Sequence, residues 1–119
     1  MSLDFSLSME FDTGGPEPYH PELFSANITS NLWEMADEAG IYTALWRPYE
    51  LTEDGSFPTA GELIPLLENG LKKLKEDPSY YRQFDSPNGW GMYDHFVPFV
   101  EKVLDACKKH PKATVETSI

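Results

Sequence analysis

The sequence predicts a single small α+β domain spanning residues 1–119. Three observations indicate this class: an alternating apolar and polar stretch at each chain end, helical stripes of apolar residues between them, and a length suited to one core. Two strands at the chain ends are best explained by pairing with each other. We therefore expect the N- and C-terminal strands to form a sheet covered on one face by three to five helices.

The first strand is predicted by strict alternation. Apolar residues at odd positions from Leu3 to Phe11 alternate with acidic or hydroxylated residues at even positions, which is the pattern of a strand with one buried face. Turn residues at 12–16 should end this strand. Three prolines between 16 and 21 should then keep the chain irregular through Phe24.

The next segments carry helix signals. A first helix is expected from Thr29–Asn31 to Gly40, with Asn31 and Glu34 as a capping box. A short helical piece over 41–46 and a polar loop over 49–58 should follow. Thr59 and Glu62 form a second capping box, which opens a leucine-striped helix that contains a proline at position 65.

Asp77 and the proline after it should start a short helical turn that carries Tyr80, Tyr81 and Phe84 towards the core. The longest helix is expected from about Gly91 to Lys109, kinked at a proline at position 98. Its predicted buried stripe consists of Tyr93, Phe96, Val97, Val100, Val103, Leu104 and Cys107. A last strand should place Ala113, Val115 and Ile119 on one side.

Charge is distributed unevenly along the chain. Residues 1–58 hold 11 Asp and Glu residues with Arg47 as the sole base, whereas residues 59–119 hold 9 acids and 8 bases. Nearly all of the net charge of −11 therefore belongs to the first half. Such a field repels nucleic-acid phosphates and anionic lipids and attracts a basic protein surface. Acidity that serves only solubility is the alternative.

Catalytic and metal motifs are not apparent. The chain has no Gly-x-Ser-x-Gly, His-Glu-x-x-His or paired cysteine motif, and Cys107 lies on a buried stripe. His20 with Glu22, and Asp94 with His95, are weak candidates for a metal pair, because adjacent helical residues point apart. We therefore expect no enzyme activity, cofactor or metal. The sequence also shows no signal peptide and no membrane-spanning run, so we expect a cytoplasmic location.

Two polar segments precede predicted helices and provide a candidate ligand site. If both helix starts face the same way, their amides and side chains can line one pocket for an anionic or amide-bearing group. The candidate residues are Asn27, Thr29, Asn31, Asn88, Trp90 and Tyr93. The simpler interpretation is structural: Asn31 and Asn88 cap helices, Thr29 braces a loop and Trp90 fills the bottom of the core.

A candidate partner surface comprises Trp33, Glu34, Asp37 and Glu38. Trp33 lies off the inward stripe of its helix, and an exposed aromatic side chain ringed by acids is typical of an anchor for a basic partner. The alternative is that Trp33 packs under the proline-rich loop of residues 16–24.

Four short motifs carry a family resemblance: Asp12-Thr13-Gly14-Gly15-Pro16, Asn27-x-Thr29-x-Asn31, Asn88-Gly89-Trp90-Gly91-x-Tyr93, and His110-Pro111-Lys112-Ala113-Thr114-Val115. With these motifs the chain resembles a family of small uncharacterised proteins of bacteria and their phages. That family has no established activity, so no catalytic role is implied. The resemblance implies an accessory protein of phage or mobile-element origin.

The functional hypothesis from sequence is a non-enzymatic protein-interaction module. It would bind a basic protein, as inhibitor, immunity or phage anti-defence proteins do when they cover a nucleic-acid-binding surface. The alternatives are a small-ligand-binding module built on the Asn27–Asn31 and Asn88–Tyr93 segments, and self-association through an open strand edge. The oligomeric state is expected to be a monomer or a homodimer.

Overall fold

The computed structural model describes residues 2–10, 14–16 and 21–119. Within these, three strands form one antiparallel sheet in the order β2-β1-β3, namely β1 (Ser2–Ser8), β2 (Glu22–Thr29) and β3 (Thr114–Ser118). The predicted pairing of the terminal strands is confirmed, with Leu7 opposite Val115 and Phe5 opposite Thr117. The α+β class is therefore confirmed. Phe11, at the end of the predicted first strand, lies outside the described residues.

Helices cover one face of the sheet. They are α1 (Trp33–Glu38), α2 (Tyr42–Trp46), α3 (Ala60–Glu76), α4 (Pro78–Arg82) and α5 (Tyr93–Lys109). Short 3-10 turns span Ser30–Leu32 and Pro48–Leu51, so the predicted polar loop 49–58 is partly helical. Leu3, Phe5 and Leu7 of β1 are fully buried, in one apolar core that also contains buried residues of α3 and α5.

The sequence interpretation misses β2. Irregular chain through Phe24 is wrong, because pairing with β1 runs from Glu22 to Thr29. The inward positions of β2 are Phe24, Ala26 and Ile28, which face Leu7, Phe5 and Leu3 across the ladder. Asp12, Thr13 and His20 lie outside the described residues.

Side-chain caps set three of the helix and 3-10 starts. The capping box of Thr59 and Glu62 is confirmed, with the Thr59 amide donating to Glu62 Oε2 at 2.8 Å. Asp77 caps α4 as predicted by accepting from the Tyr80 amide. The capping box of Asn31 and Glu34 is wrong: Thr29 caps the 3-10 turn by accepting from the Asn31 amide at 3.4 Å.

Other boundaries are close to those predicted. α5 begins at Tyr93 and continues through Pro98, and its stripe is buried except for the half-buried Val97. Ile119 is exposed beyond the end of β3, so its predicted inward position is wrong. The prediction for Tyr80 is also wrong, since its ring is exposed while neighbouring Tyr81 is buried.

Candidate protein-interaction site

An aromatic groove lies where α1 meets α2. It has a volume of about 370 Å³ and is lined by Ser30, Trp33, Tyr42, Trp46 and Ile119. The Tyr42 ring stacks on Trp46 at a centroid distance of 5.8 Å, and Trp33 meets Tyr42 edge-on at 6.3 Å. Trp46 is buried while Trp33 is 49% exposed. We call this feature the aromatic groove.

A tight turn brings the groove's aromatic residues together. Gly40 ends α1 with a φ of +80°, a conformation that favours glycine. The Ile41 amide then donates to the Ala36 carbonyl at 2.9 Å, which closes the turn from α1 into α2. Leu32, Met35, Ala36 and Ala39 are buried. The opposite side of α1 is therefore presented to solvent.

That solvent side of α1 is acidic. Glu34, Asp37 and Glu38 are all exposed, and no ion pair within the described ranges involves any of them. Glu38 Oε2 accepts from the Tyr80 hydroxyl at 2.9 Å, a hydrogen bond that raises the pKa of Tyr80. The sole base of the first half, Arg47, donates instead to the Tyr42 hydroxyl and to Glu50.

A second exposed indole belongs to Trp90, which is 72% exposed. It sits on a closed loop in which the Ser86 amide donates to the Gly91 carbonyl at 2.9 Å. Asn88 Oδ1 accepts from the Trp90 amide at 2.9 Å and from the Ser86 hydroxyl. The interpretation in which Trp90 fills the bottom of the core is therefore wrong.

Asn88 closes this loop and does not cap α5. The first amide of α5, that of Tyr93, donates to Asp85 Oδ1 at 2.6 Å. Asp85 therefore supplies the cap that the sequence interpretation assigned to Asn88. The sequence does contain an acidic residue ahead of the helix that could indicate this cap. Asp85 precedes Tyr93 by eight residues, however, which is outside the usual capping spacing.

The two exposed tryptophans border one segment of chain. Asn31 Nδ2 donates to the Trp90 carbonyl at 3.2 Å. A Cβ at Gly91 would lie 3.3 Å from the Asn31 Cβ, so the loop packs closely on this turn. Trp33 follows Asn31 by two residues. The structure thus brings together Thr29, Asn31, Asn88 and Trp90 of the predicted ligand set, beside the predicted partner surface.

Asn27 and Tyr93 are engaged elsewhere. The Asn27 amide donates to Asp4 on the neighbouring strand, on the solvent face of the sheet. The Tyr93 ring is buried, its hydroxyl donates to the Leu74 carbonyl at 2.7 Å, and the Arg82 guanidinium lies 4.7 Å from its centroid. These contacts give Tyr93 a structural role between α3 and α5.

Replacing Tyr93 by phenylalanine should lower the free energy of unfolding by about 1–2 kcal/mol. Near the end of α3, the Leu74 carbonyl would take its helical donor from residue 78, which is a proline without an amide hydrogen. The Tyr93 hydroxyl supplies that donor, and its removal leaves a buried acceptor unpaired. Urea denaturation measures the change. Tyr80→Phe, at an exposed ring, is the control and should change stability by under about 0.5 kcal/mol; equal effects would contradict the role given to Tyr93.

Asp94 and Cys107 are engaged within the fold. Among the described residues, no group of three or more His, Cys, Asp or Glu side chains is placed to hold a metal ion. Asp94 pairs with Arg82 at 2.8 Å, and this hydrogen bond lowers the pKa of Asp94. Cys107 is fully buried, and burial raises the pKa of its thiol to about 12. The thiol is therefore protonated and inaccessible at neutral pH.

None of the helices described here is both long and apolar enough to cross a bilayer.

Comparison with known proteins gives no relative on which to base a function. No protein-family model matches the chain, and neither a curated protein nor a solved structure matches it significantly. The functional proposal below is therefore based on the geometry and charge of the described residues.

Proposed function

We propose that the protein is a non-enzymatic interaction module that binds a basic protein through α1 and the two tryptophans beside it. The observation that carries this proposal is an exposed Trp33 on a helix whose three exposed carboxylates form no ion pair with any described residue. The loop of exposed Trp90 is hydrogen-bonded to Asn31, just ahead of this helix. The family resemblance of the short motifs implies an accessory protein of phage or mobile-element origin. The acidic first half of the chain favours an inhibitor, immunity or phage anti-defence role in the cytoplasm.

Stability of α1 does not explain its acids. Glu34 lies three residues before Asp37 and four before Glu38, spacings at which like charges on a helix repel by a few tenths of a kcal/mol. Asp37 and Glu38 also occupy the last turn, where the helix dipole disfavours negative charge. A basic partner would relieve both costs on binding. The acids are therefore better explained by recognition than by folding.

The tryptophans fit the same surface. Exposed tryptophan side chains are frequent anchors in protein interfaces, because they bury much apolar area with few rotatable bonds. Here Trp33 lies at the start of α1 with its ring against Tyr42, and Trp90 lies on a loop closed by hydrogen bonds. The small-ligand alternative is less well supported, because each residue of that candidate set already makes a hydrogen bond within the protein, and Asn27 and Tyr93 make theirs away from the other four.

Charge reversal at α1 tests the proposal. The triple variant Glu34→Lys, Asp37→Lys, Glu38→Lys is compared with wild type in affinity capture from lysate at low and high salt, and then in surface plasmon resonance with each basic protein captured. We expect capture at low salt only, and an association rate constant at least about 10-fold lower for the variant. The variant should keep its fold, because all three positions are exposed and two of the new charges lie in the last turn of α1, where the helix dipole favours a cation.

A charge-matched triple provides the control. Glu22→Lys, Glu68→Lys and Glu116→Lys change the net charge equally at exposed positions outside α1. This control should retain most of the association rate. If both triple variants slow association equally, the effect is one of net charge alone and the α1 surface is not the interface. The proposal is also contradicted if the captured proteins do not depend on salt concentration, or if none of them is basic.

A further inference from the structure

We propose that the aromatic groove takes the guanidinium group of an arginine side chain from the basic partner. The inference rests on the proposed function, because it names the chemical group that this partner inserts beside α1. The groove and the acidic face of α1 would then have separate roles. The acids attract the basic partner, and the aromatic rings of the groove bind one of its arginine side chains.

The size and walls of the groove suit one side chain. Its volume of about 370 Å³ is near the lower end for ligand sites, so it fits a single long side chain better than a cofactor. The walls are aromatic: Trp46 forms a buried wall, Tyr42 stacks on it, and Trp33 stands half-exposed at the side. Aromatic faces of this kind attract cations placed over them.

Charge beside the groove favours a cation. Arg47 donates to the Tyr42 hydroxyl at 3.2 Å, but Glu50 pairs with it, so this pair adds no net charge. Asp37 is exposed and lies four residues after Trp33, on the same side of α1, so the net charge beside Trp33 is negative. A neutral apolar side chain would gain nothing from this carboxylate, whereas a guanidinium can stack on a ring and donate to an oxygen at once. Arginine suits such a site better than lysine, because its planar group stacks and its charge is weakly hydrated.

An arginine held by an aromatic ring and a carboxylate occurs elsewhere in the molecule. The Arg82 guanidinium lies 4.7 Å from the Tyr93 ring centroid and donates to Asp94 at 2.8 Å. A ring face and a carboxylate are thus already combined around one arginine in this fold. The aromatic groove and Asp37 offer the same pair of groups, with the arginine to be supplied from outside.

Nitrogen-15 NMR on the full chain tests the assignment. The three tryptophans give three indole N–H signals, which are assigned by single Trp→Phe variants. Tetraarginine is titrated into the protein, with tetracitrulline as the neutral analogue of equal shape and tetralysine as the non-planar cation. We expect tetraarginine to shift the Trp33 signal, tetralysine to bind more weakly, and tetracitrulline to leave the signal unchanged.

Variants separate this inference from the proposed function. Trp33→Ala should raise the dissociation constant for tetraarginine about 3- to 30-fold, whereas Trp90→Ala, outside the groove, should leave it within about twofold. If tetraarginine binding needs the α1 acids but neither shifts Trp33 nor responds to Trp33→Ala, the groove assignment fails and the proposed function stands. Binding that ignores the α1 acids, or no binding, overturns both. Equal shifts from tetracitrulline or tetralysine overturn the choice of a guanidinium.

Discussion

Replacing Phe5 by alanine should lower the free energy of unfolding by about 3–5 kcal/mol, the largest single effect expected in this chain. Phe5 lies at the middle of β1, the central strand, and is fully buried. It faces Ala26 on β2 and Thr117 on β3, so no neighbouring large side chain in the ladder can fill the space it leaves. The loss therefore combines apolar transfer with a cavity that the surroundings cannot close. Urea denaturation followed by circular dichroism measures it.

The next residue along the strand provides a matched control. Ser6 points to the opposite face of the sheet, which none of the described helices covers, and is only half-buried. Ser6→Ala should change the free energy of unfolding by less than about 0.5 kcal/mol. A large effect at Ser6, or a small one at Phe5, would mean that β1 presents the other face to the core.

The contrast between Phe5 and Ser6 also shows why β1 could be predicted from sequence. A strand with one buried and one solvated face must alternate, so β1 has a strong period-2 pattern. α5 is equally readable, because a helix packed on the core needs apolar residues every three to four positions. Both elements are central to the core, and burial there leaves little freedom in residue type.

β2 lacks such a strong pattern. It is an edge strand, Ile28 is its one buried residue, and Ala26 is a weak strand former. The asparagines and threonine at its end resemble a helix cap, and they mask the alternation of Phe24, Ala26 and Ile28. The conformation of this segment depends on its pairing with β1, and a local sequence pattern carries no information about that pairing.

The candidate site could be predicted only in part. The exposure of Trp33 and of the acids on α1 follows from the helix period, since they lie off the inward stripe. The aromatic groove does not, because it needs the angle between α1 and α2. Trp90 also misled the prediction: a large apolar residue between two glycines suggested burial, whereas the hydrogen bonds of Asn88 and Ser86 hold the loop with its indole outside.

The turn between α1 and α2 packs against a glycine of α3, and replacing this Gly70 by alanine should lower the free energy of unfolding by about 1–2 kcal/mol. A Cβ at Gly70 would lie closer than 3.0 Å to Cγ2 of Ile41 and 3.3 Å from the Ala39 carbonyl oxygen. Overpacking costs about 1–3 kcal/mol, while alanine returns at most about 1 kcal/mol of helix propensity. The contact must therefore open, and it is the Ala39–Ile41 turn that moves.

Displacement of this turn should also reach the aromatic groove. Trp33 precedes the turn on α1, while Tyr42 and Trp46 follow it on α2, so the ring stacking depends on how the turn sits against α3. We expect Gly70→Ala to change the near-ultraviolet circular dichroism and to weaken tetraarginine binding. Asn69→Ala, exposed on the same helix, should do neither and should be neutral or slightly stabilising.

A double-mutant cycle identifies the cause. In an Ile41→Ala background the clashing methyl group is absent, so adding Gly70→Ala should cost much less than it does in wild type. An equal cost in both backgrounds would place the strain elsewhere. If Gly70→Ala is instead as stable as Asn69→Ala, the Ala39–Ile41 turn does not pack on α3 closely enough to position the groove, and groove geometry must be set by contacts within α1 and α2 alone.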